Sequence, residues 1–107
     1  MDYIGVVEKD LALKNAEHII IYGAGNVGKQ TMHYLKDNGM GEKIRCFIDN
    51  NSNIWGTYIE DIAVMGISEA IYRYPKGIYL VASMSVRQMV ESLLWSGAEH
   101  IHIIREG

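Results

Sequence analysis

The residues best suited to chemistry are the glycines of the segment 23–28, Gly-Ala-Gly-Asn-Val-Gly, which matches the pattern G-x-G-x-x-G. In such a loop the first glycine allows a tight turn, the second lets the backbone approach a pyrophosphate, and the third lets a helix pack closely on the sheet. The free N–H groups and partial positive charge at the start of that helix favour phosphate. We therefore expect the whole loop to contact a ligand that carries a nucleotide: Gly23, Ala24, Gly25, Asn26, Val27 and Gly28.

A carboxylate follows the loop at the distance expected of a ribose-binding residue. Asp49 lies about 20 positions after the last glycine and directly follows an apolar run. Its side chain can accept hydrogen bonds from a ribose diol and would repel a 2′-phosphate, while Asn50 and Asn51 are neutral where NADP-binding proteins often carry arginine. We expect Asp49 to contact an unphosphorylated ribose. The alternative, a glycine turn that only shapes the fold with Asp49 capping the loop, stays open.

Two other motifs must be weighed against this interpretation. One overlaps the glycine loop, and the other has the spacing of a catalytic residue pair. The glycine loop with the lysine after it spells G-x-x-x-x-G-K, but a Walker A loop then needs Ser or Thr to hold Mg²⁺, and this chain has Gln30. Tyr72 and Lys76 have the Y-x-x-x-K spacing of short-chain reductases, but Pro75 between them disfavours a continuous helix. The sequence therefore favours binding over phosphoryl transfer or reductase chemistry.

Other reactive side chains form no constellation in the sequence. His100 and His102 alternate on a predicted strand with no Cys or acid at ligand spacing, so no metal site is expected. No Ser-His-Asp or paired-carboxylate pattern is present, so no catalytic residue is expected, and Cys46 is interpreted as buried. Ser83 follows the fourth predicted strand at its carboxyl end, where ligands lie in doubly wound sheets, and is expected to contact the ligand.

Alternating apolar runs and helical stripes predict the elements that position these residues. Strands are expected at 18–22, 44–48, 59–65, 78–82 and 101–104. Helices are expected from the glycine loop to Asn38, over 69–74 with Ser68 as N-cap, and from Ser85 to Gly97 with a capping box of Ser85 and Gln88. This order predicts an α/β, Rossmann-like, doubly wound and mostly parallel five-stranded sheet of order 3-2-1-4-5. Residues 1–17 are predicted to form an N-terminal helical extension and residues 18–107 the nucleotide-binding domain.

Composition fits one small globular domain. The chain has 107 residues, of which 49% are hydrophobic and 21% charged, with a formal net charge of −3. Its basic residues are scattered rather than clustered, so no nucleic-acid partner is expected. No apolar run approaches the roughly 20 residues that span a bilayer, so no membrane partner is expected. A single cysteine fits a reducing compartment, and the expected localisation is cytoplasmic.

Three stretches of the chain resemble a known group of domains: Ile20-Ile-Tyr-Gly-Ala-Gly-Asn-Val-Gly28, then Phe47-Ile48-Asp49, then Gly56 with Ile59, Ile62 and Val64. They are similar to the N-terminal Rossmann domain of bacterial nucleotide-sugar-modifying proteins of polysaccharide biosynthesis, which include epimerases, dehydratases and sugar acetyltransferases. Similar order occurs in the NADH-binding domain of redox-sensing repressors and in CoA-binding domains. The resemblance implies ligand contact by the glycine loop and by Asp49 and Asn50, without choosing the ligand. Asp61 departs from it, because these families usually have glycine there.

The expected function is therefore a nucleotide-binding module for NAD(H) or a UDP-sugar type nucleotide, within sugar-nucleotide or polysaccharide biosynthesis. The partner is expected to be a small nucleotide ligand, and a homo-oligomer or a larger sugar-modifying protein stays open. The alternative is a ligand-sensing regulatory or protein-interaction domain without catalysis, indicated by Trp95 just off the apolar stripe of its helix. Whether the chain takes part in catalysis as a piece of an enzyme is left open.

Overall fold

The computed structural model describes residues 15–83 and 85–103. Most of the predicted N-terminal extension lies outside these residues. The strands are β1 (Ile19–Tyr22), β2 (Ile44–Ile48), β3 (Tyr58–Ile59), β4 (Ile62–Met65), β5 (Ile78–Val81) and β6 (His100–Ile103). The helices are α1 (Asn26–Asp37), α2 (Ile67–Arg73) and α3 (Val86–Ser96).

These strands form one sheet in the order β3-β4-β2-β1-β5-β6. All neighbouring pairs are parallel except β3 and β4, which are antiparallel. The five parallel strands have the predicted order, so the Rossmann-like α/β fold is confirmed. The sixth strand arises because the segment 59–65 is interrupted by Glu60 and Asp61, which turn the chain into a tight hairpin instead of one strand.

The core lies on both faces of the sheet, because β1 and β5 are covered on both sides and every residue in them is buried. Ile19 and Ile21 pack on one face in a cluster with Met32 and Leu35 of α1. Residues of β1 that point the other way pack with the helices α2 and α3 on the opposite face. This two-layer cover holds the ends of β1, β2 and β5 in fixed positions.

Two predicted helix starts differ from the structure. Ser68 is not an N-cap, because α2 begins at Ile67 with Gly66 as its N-cap. Ser85 does precede α3, but its side chain makes no capping hydrogen bond, so the predicted capping box with Gln88 is wrong. The backbone N–H of Ser85 donates instead to Ser83 Oγ at 3.2 Å.

The apolar stripe of α3 that the sequence predicts includes Met89, Leu93 and Leu94, with Trp95 just off it. Met89 and Leu93 are buried, whereas Leu94 departs from the prediction and is 62% exposed. Trp95 is 91% exposed, in keeping with its predicted position off the stripe. Gly97 ends the helix in the left-handed conformation, as predicted. None of the helices in the described ranges is long and apolar enough to cross a membrane.

Candidate functional site

The glycine loop follows β1 and is built from three glycines with different surroundings. Gly23 has φ +118°, and its N–H donates to the carbonyl oxygen of Ile48 at 2.8 Å. A Cβ on Gly28 would overlap the carbonyl oxygen of Gly23, because α1 packs directly under the turn. A Cβ on Gly25 would meet no atom within 4 Å. Gly23 and Gly28 are thus required by the fold, and Gly25 borders open space.

Asp49 is attached to this loop through its carboxylate. One oxygen, Oδ2, accepts the N–H of Ala24 at 3.1 Å, and the other, Oδ1, accepts the N–H of Asn51 at 2.9 Å. The indole N–H of Trp55 donates to the carbonyl oxygen of Asp49 at 2.6 Å. Each carboxylate oxygen can accept further hydrogen bonds, so the side chain is held in place and still has acceptor capacity.

Tyr22 is a residue of the site that the sequence interpretation did not identify. It ends β1 just before the glycine loop, its side chain is fully buried, and its hydroxyl donates to Asn50 Oδ1 at 2.7 Å. The available signal was a tyrosine at the end of an otherwise aliphatic buried strand, since a buried phenol needs a hydrogen-bond partner. Its partner, 28 positions along the chain, is brought close by the parallel pairing of Tyr22 with Ile48.

A cavity of about 430 Å³ lies at the carboxyl ends of β1, β2 and β5. The sequence-predicted residues that line it are Gly23, Gly25, Asn26, Val27, Asp49, Asn50 and Ser83. Ala24 and Gly28 were predicted as contacts too, but both are buried and neither lines the cavity. The lining residues not identified from the sequence are Tyr22, Ala82, Ser85, Gln88 and Met89.

This cavity lies where the chain order of the sheet reverses, between β1 and β5. In open α/β sheets ligands bind at that switch point, beyond the carboxyl ends of the strands. The helices α1 and α3 begin beside it, because their N-caps Gly25 and Ser85 both line the cavity. Gly25 has no side chain and the side chain of Ser85 makes no capping hydrogen bond, so the first N–H groups of both helices are available to an anionic ligand.

Two sets of ionisable groups lie outside the cavity, a buried thiol and a cluster of exposed charges. Burial raises the pKa of the Cys46 thiol to about 12, so the reactive thiolate is not formed near neutral pH. Exposed charges cluster where Glu60 accepts from His33 Nε2 at 2.6 Å and from Lys36 Nζ at 2.9 Å. Among residues 15–83 and 85–103, no three His, Cys, Asp or Glu side chains form a group that could hold a metal ion.

Comparison with known proteins identifies a matching family of domains. A model described as CoA binding domain matches residues 14–107. The redox-sensing transcriptional repressor Rex of Clostridium botulinum strain Hall is 33% identical over 57 residues, which cover 53% of this chain and 27% of the repressor. The Rex of Clostridium beijerinckii is 26% identical over 96 residues, covering 85% of this chain and 46% of that protein. The chain thus spans between about a quarter and a half of the curated relatives it matches.

Solved structures show the same fold at lower identity. RSP, a Rex-family repressor, superposes with a TM-score of 0.69 at 24% identity, covering 92% of this chain and 50% of RSP. RSP in complex with beta-NAD+ and operator DNA gives a TM-score of 0.66, also at 24% identity, covering 92% of this chain and 48% of that one. UDP-D-quinovosamine 4-dehydrogenase from Vibrio fischeri gives 0.65 at 22% identity, covering 85% and 80% of the two chains. The resemblances expected from the sequence are confirmed.

The expectation that nucleic acid is excluded as a partner is wrong. Curated relatives are transcriptional repressors, and one similar structure is a repressor on operator DNA. The physical reason is that the distribution of charge describes only the surface of this chain. Scattered basic residues argue against a DNA-binding stripe on this chain's own surface, but the chain matches only 48% of that repressor. The charge of one domain does not test what the rest of a longer protein contacts.

Proposed function

The chain belongs to the family of CoA-binding domains and is a nucleotide-binding Rossmann domain, and we propose that its ligand is NAD(H), bound through an unphosphorylated adenosine ribose. The observation that carries the proposal is the position of Asp49. Its carboxylate lines the cavity at the end of β2 and is hydrogen-bonded to the glycine loop through Ala24. An acid there accepts hydrogen bonds from the two hydroxyls of a ribose.

The diphosphate of the ligand is assigned to the start of α1. Gly25 precedes this helix, offers no side-chain cap, and leaves open space above its backbone. The first N–H groups of the helix therefore need acceptors, and phosphate oxygens supply them together with negative charge that the helix dipole favours. A ligand with its ribose at Asp49 and its phosphates at Gly25 follows the cavity from β2 towards β5.

CoA, the ligand implied by the family's description, does not fit these residues. Its adenosine ribose carries a 3′-phosphate, which would meet the negative Asp49 and the neutral Asn50. No lysine or arginine is among the described residues that line the cavity, so no side-chain cation offsets a ribose phosphate. The same argument disfavours NADP, whose phosphate is on the 2′-oxygen.

A UDP-sugar shares the diphosphate and the free ribose hydroxyls, and the fold of this chain resembles that of a UDP-sugar dehydrogenase. NAD(H) is favoured because the related repressor RSP has been solved with beta-NAD+ and with beta-NADH. A place in polysaccharide biosynthesis depends on which of the two ligands binds.

Isothermal titration calorimetry of the chain with NADH, UDP-N-acetylglucosamine, NADPH and CoA tests this assignment. We expect NADH to bind, and NADPH and CoA to bind at least about tenfold more weakly, a difference of about 1.4 kcal/mol. The variant Asp49→Asn removes the charge while keeping the shape, and is expected to bind NADH more weakly and to discriminate less against NADPH. Binding of CoA as tight as that of NADH, or no binding of any of the four ligands, would show the proposal to be wrong.

A second candidate role is regulatory, with ligand occupancy changing an association between proteins. The curated relatives are redox-sensing repressors, and Leu94 and Trp95 leave an apolar surface exposed on α3. We expect light scattering to give a different molar mass with and without saturating NADH. An unchanged mass, in the chain and in any longer protein that contains it, would argue against this role.

A further inference from the structure

Beyond the residues assigned to the ribose and the diphosphate, the cavity is lined by the end of β5 and the first turn of α3. Ala82 and Met89 supply buried apolar surface there, and the terminal methyl group of Met89 lies 3.6 Å from the position of a Cβ on Gly23. The exposed side chains of Ser85 and Gln88 border the same region with polar groups. An apolar surface with a few polar groups at its margin suits a flat heteroaromatic ring.

A purine base attached to the proposed ribose fits this region. Its ring face can pack against the thioether of Met89, since sulfur makes favourable contacts with aromatic rings. Its edge carries donors and acceptors, and the amide of Gln88 offers both. A ribose carries its base and its phosphate on different carbon atoms, so the base can turn towards α3 while the diphosphate turns towards α1, which packs on the opposite face of the sheet.

The volume of the cavity agrees with a ligand of this size. About 430 Å³ is near the lower end of the range of roughly 300 to 1,000 Å³ for pockets that enclose one drug-sized ligand. Adenosine diphosphate is a ligand of that size, and a dinucleotide is considerably larger. No described residue of β4 or β6 is among those that line the cavity. The second ribose and the nicotinamide of NAD(H) therefore extend beyond it.

The two redox forms of NAD differ in the nicotinamide ring, which is positively charged in NAD+ and neutral in NADH. Among the described residues that line the cavity, Asp49 is the one with an ionised side chain. It is assigned to the adenosine ribose, so the diphosphate and a second ribose separate it from the nicotinamide ring. Charges that interact across solvent over such a separation are largely screened at physiological salt, where the Debye length is about 8 Å.

We propose that this chain recognises the adenosine diphosphate moiety of its ligand and binds ADP-ribose, NAD+ and NADH with about equal affinity. This inference rests on the proposed function, since it concerns the same cavity. Discrimination between the two redox forms then requires contacts to the nicotinamide ring that the residues of this cavity do not make.

Isothermal titration calorimetry of the chain with ADP-ribose, NAD+ and NADH tests the inference, because ADP-ribose carries every part of NAD(H) except the nicotinamide. We expect the three dissociation constants to agree within about fivefold. Any larger difference among them would overturn the inference while leaving NAD(H) binding intact. If none of the three ligands binds, the proposed function fails and this inference fails with it.

The variant Gln88→Ala tests the position of the base. Gln88 is exposed, so the fold is retained. The loss of hydrogen bonds to the base is expected to weaken the binding of all three ligands by the same factor, about three- to tenfold. The matched control is Leu94→Ala, on the exposed side of the same helix and outside the cavity, which should leave the three affinities unchanged. An unchanged affinity in Gln88→Ala, or a loss confined to NAD+ and NADH, would contradict the assignment of the base to α3.

Discussion

At the scale of single residues, the glycines of the loop divide into two kinds. Gly23 needs its positive φ, and Gly28 lies so close to Gly23 that no side chain fits between them. Gly25 has ordinary extended backbone and open space around its missing side chain. The fold therefore explains two of the glycines, whereas the third borders open space, where the proposed ligand would approach the backbone.

We predict that Gly25→Val abolishes NADH binding while the chain stays folded. The added side chain meets no protein atom near its Cβ but occupies the space assigned to the diphosphate. Calorimetry measures the binding, and circular dichroism with a thermal melt measures the fold.

The matched control for this prediction is Lys29→Ala, on the exposed side of α1 and outside the cavity. A Walker A loop would require this lysine, whereas the Rossmann loop proposed here does not, so its affinity for NADH should be unchanged. Undiminished binding by Gly25→Val would contradict the assignment of the phosphates to this loop.

At the scale of elements, two side-chain contacts connect the β3–β4 hairpin and the loop before it to the rest of the domain, in addition to the pairing of β4 with β2. The tip of the hairpin contacts α1 through Glu60, which lies at φ +57° and accepts hydrogen bonds from His33 and Lys36. Just before β3, Trp55 donates to the carbonyl oxygen of Asp49 and fills the place that a Cβ on Gly66 would take. The hairpin thus braces the end of β2, where the ribose is proposed to bind.

We predict that Glu60→Gln reduces the loss of stability in acid. The hydrogen bonds from Lys36 and then His33 hold the pKa of Glu60 below its usual value of 4.5. A lowered pKa in the folded state stabilises the protein above the unfolded pKa, and this contribution is lost as pH falls through the folded pKa. The fall in melting temperature between pH 6 and pH 3 should therefore be smaller in the variant than in the unchanged chain, and this difference should shrink at high salt because the pair is exposed.

Glu91→Gln is the control for this comparison. Glu91 also faces a cation, Arg87, but the pair lies on the exposed surface of α3 at 3.9 Å. Its acid dependence should follow that of the unchanged chain. If Glu60→Gln and the unchanged chain lost melting temperature in parallel from pH 6 to pH 3, the hairpin contact would carry no charge-dependent stability.

At the scale of the whole molecule, the cavity is bordered by elements on both sides of the point where the strand order reverses. The ends of β1, β2 and β5 and the starts of α1 and α3 all border it. A ligand bound there contacts elements that pack on opposite faces of the sheet. Because these elements form the core of a small domain, occupancy should stabilise the fold as a unit.

We predict that NADH at about 100 times its Kd raises the melting temperature of the chain by roughly 10 to 20 °C, because binding then adds about 2.7 kcal/mol. Differential scanning calorimetry with and without ligand measures the shift. CoA at the same concentration should produce a much smaller one, and Gly25→Val should show none with NADH. Equal shifts with CoA and NADH would contradict the selection attributed to Asp49.

The sequence alone determined the features that depend on local pattern. The bounds of β2, the glycine loop between a strand and a helix, the end of α3 at Gly97 and the order of the parallel strands all followed from apolar periodicity and glycine spacing. The splitting of segment 59–65 did not follow, because the apolar period continues across the acidic pair while the backbone reverses at Glu60.

The tertiary structure decided which distant side chains form hydrogen bonds with each other. The hydrogen bond from Tyr22 to Asn50 spans 28 positions, and it exists because β1 and β2 pair in parallel with Tyr22 beside Ile48. The pairing of two strands that are distant in the chain depends on how their apolar faces pack in the assembled sheet, so the pattern of one strand alone does not give it. The glycine loop and Asp49 could thus be identified as candidates from the sequence, whereas the hydrogen bond between Tyr22 and Asn50 beside them appears only once the strands are assembled.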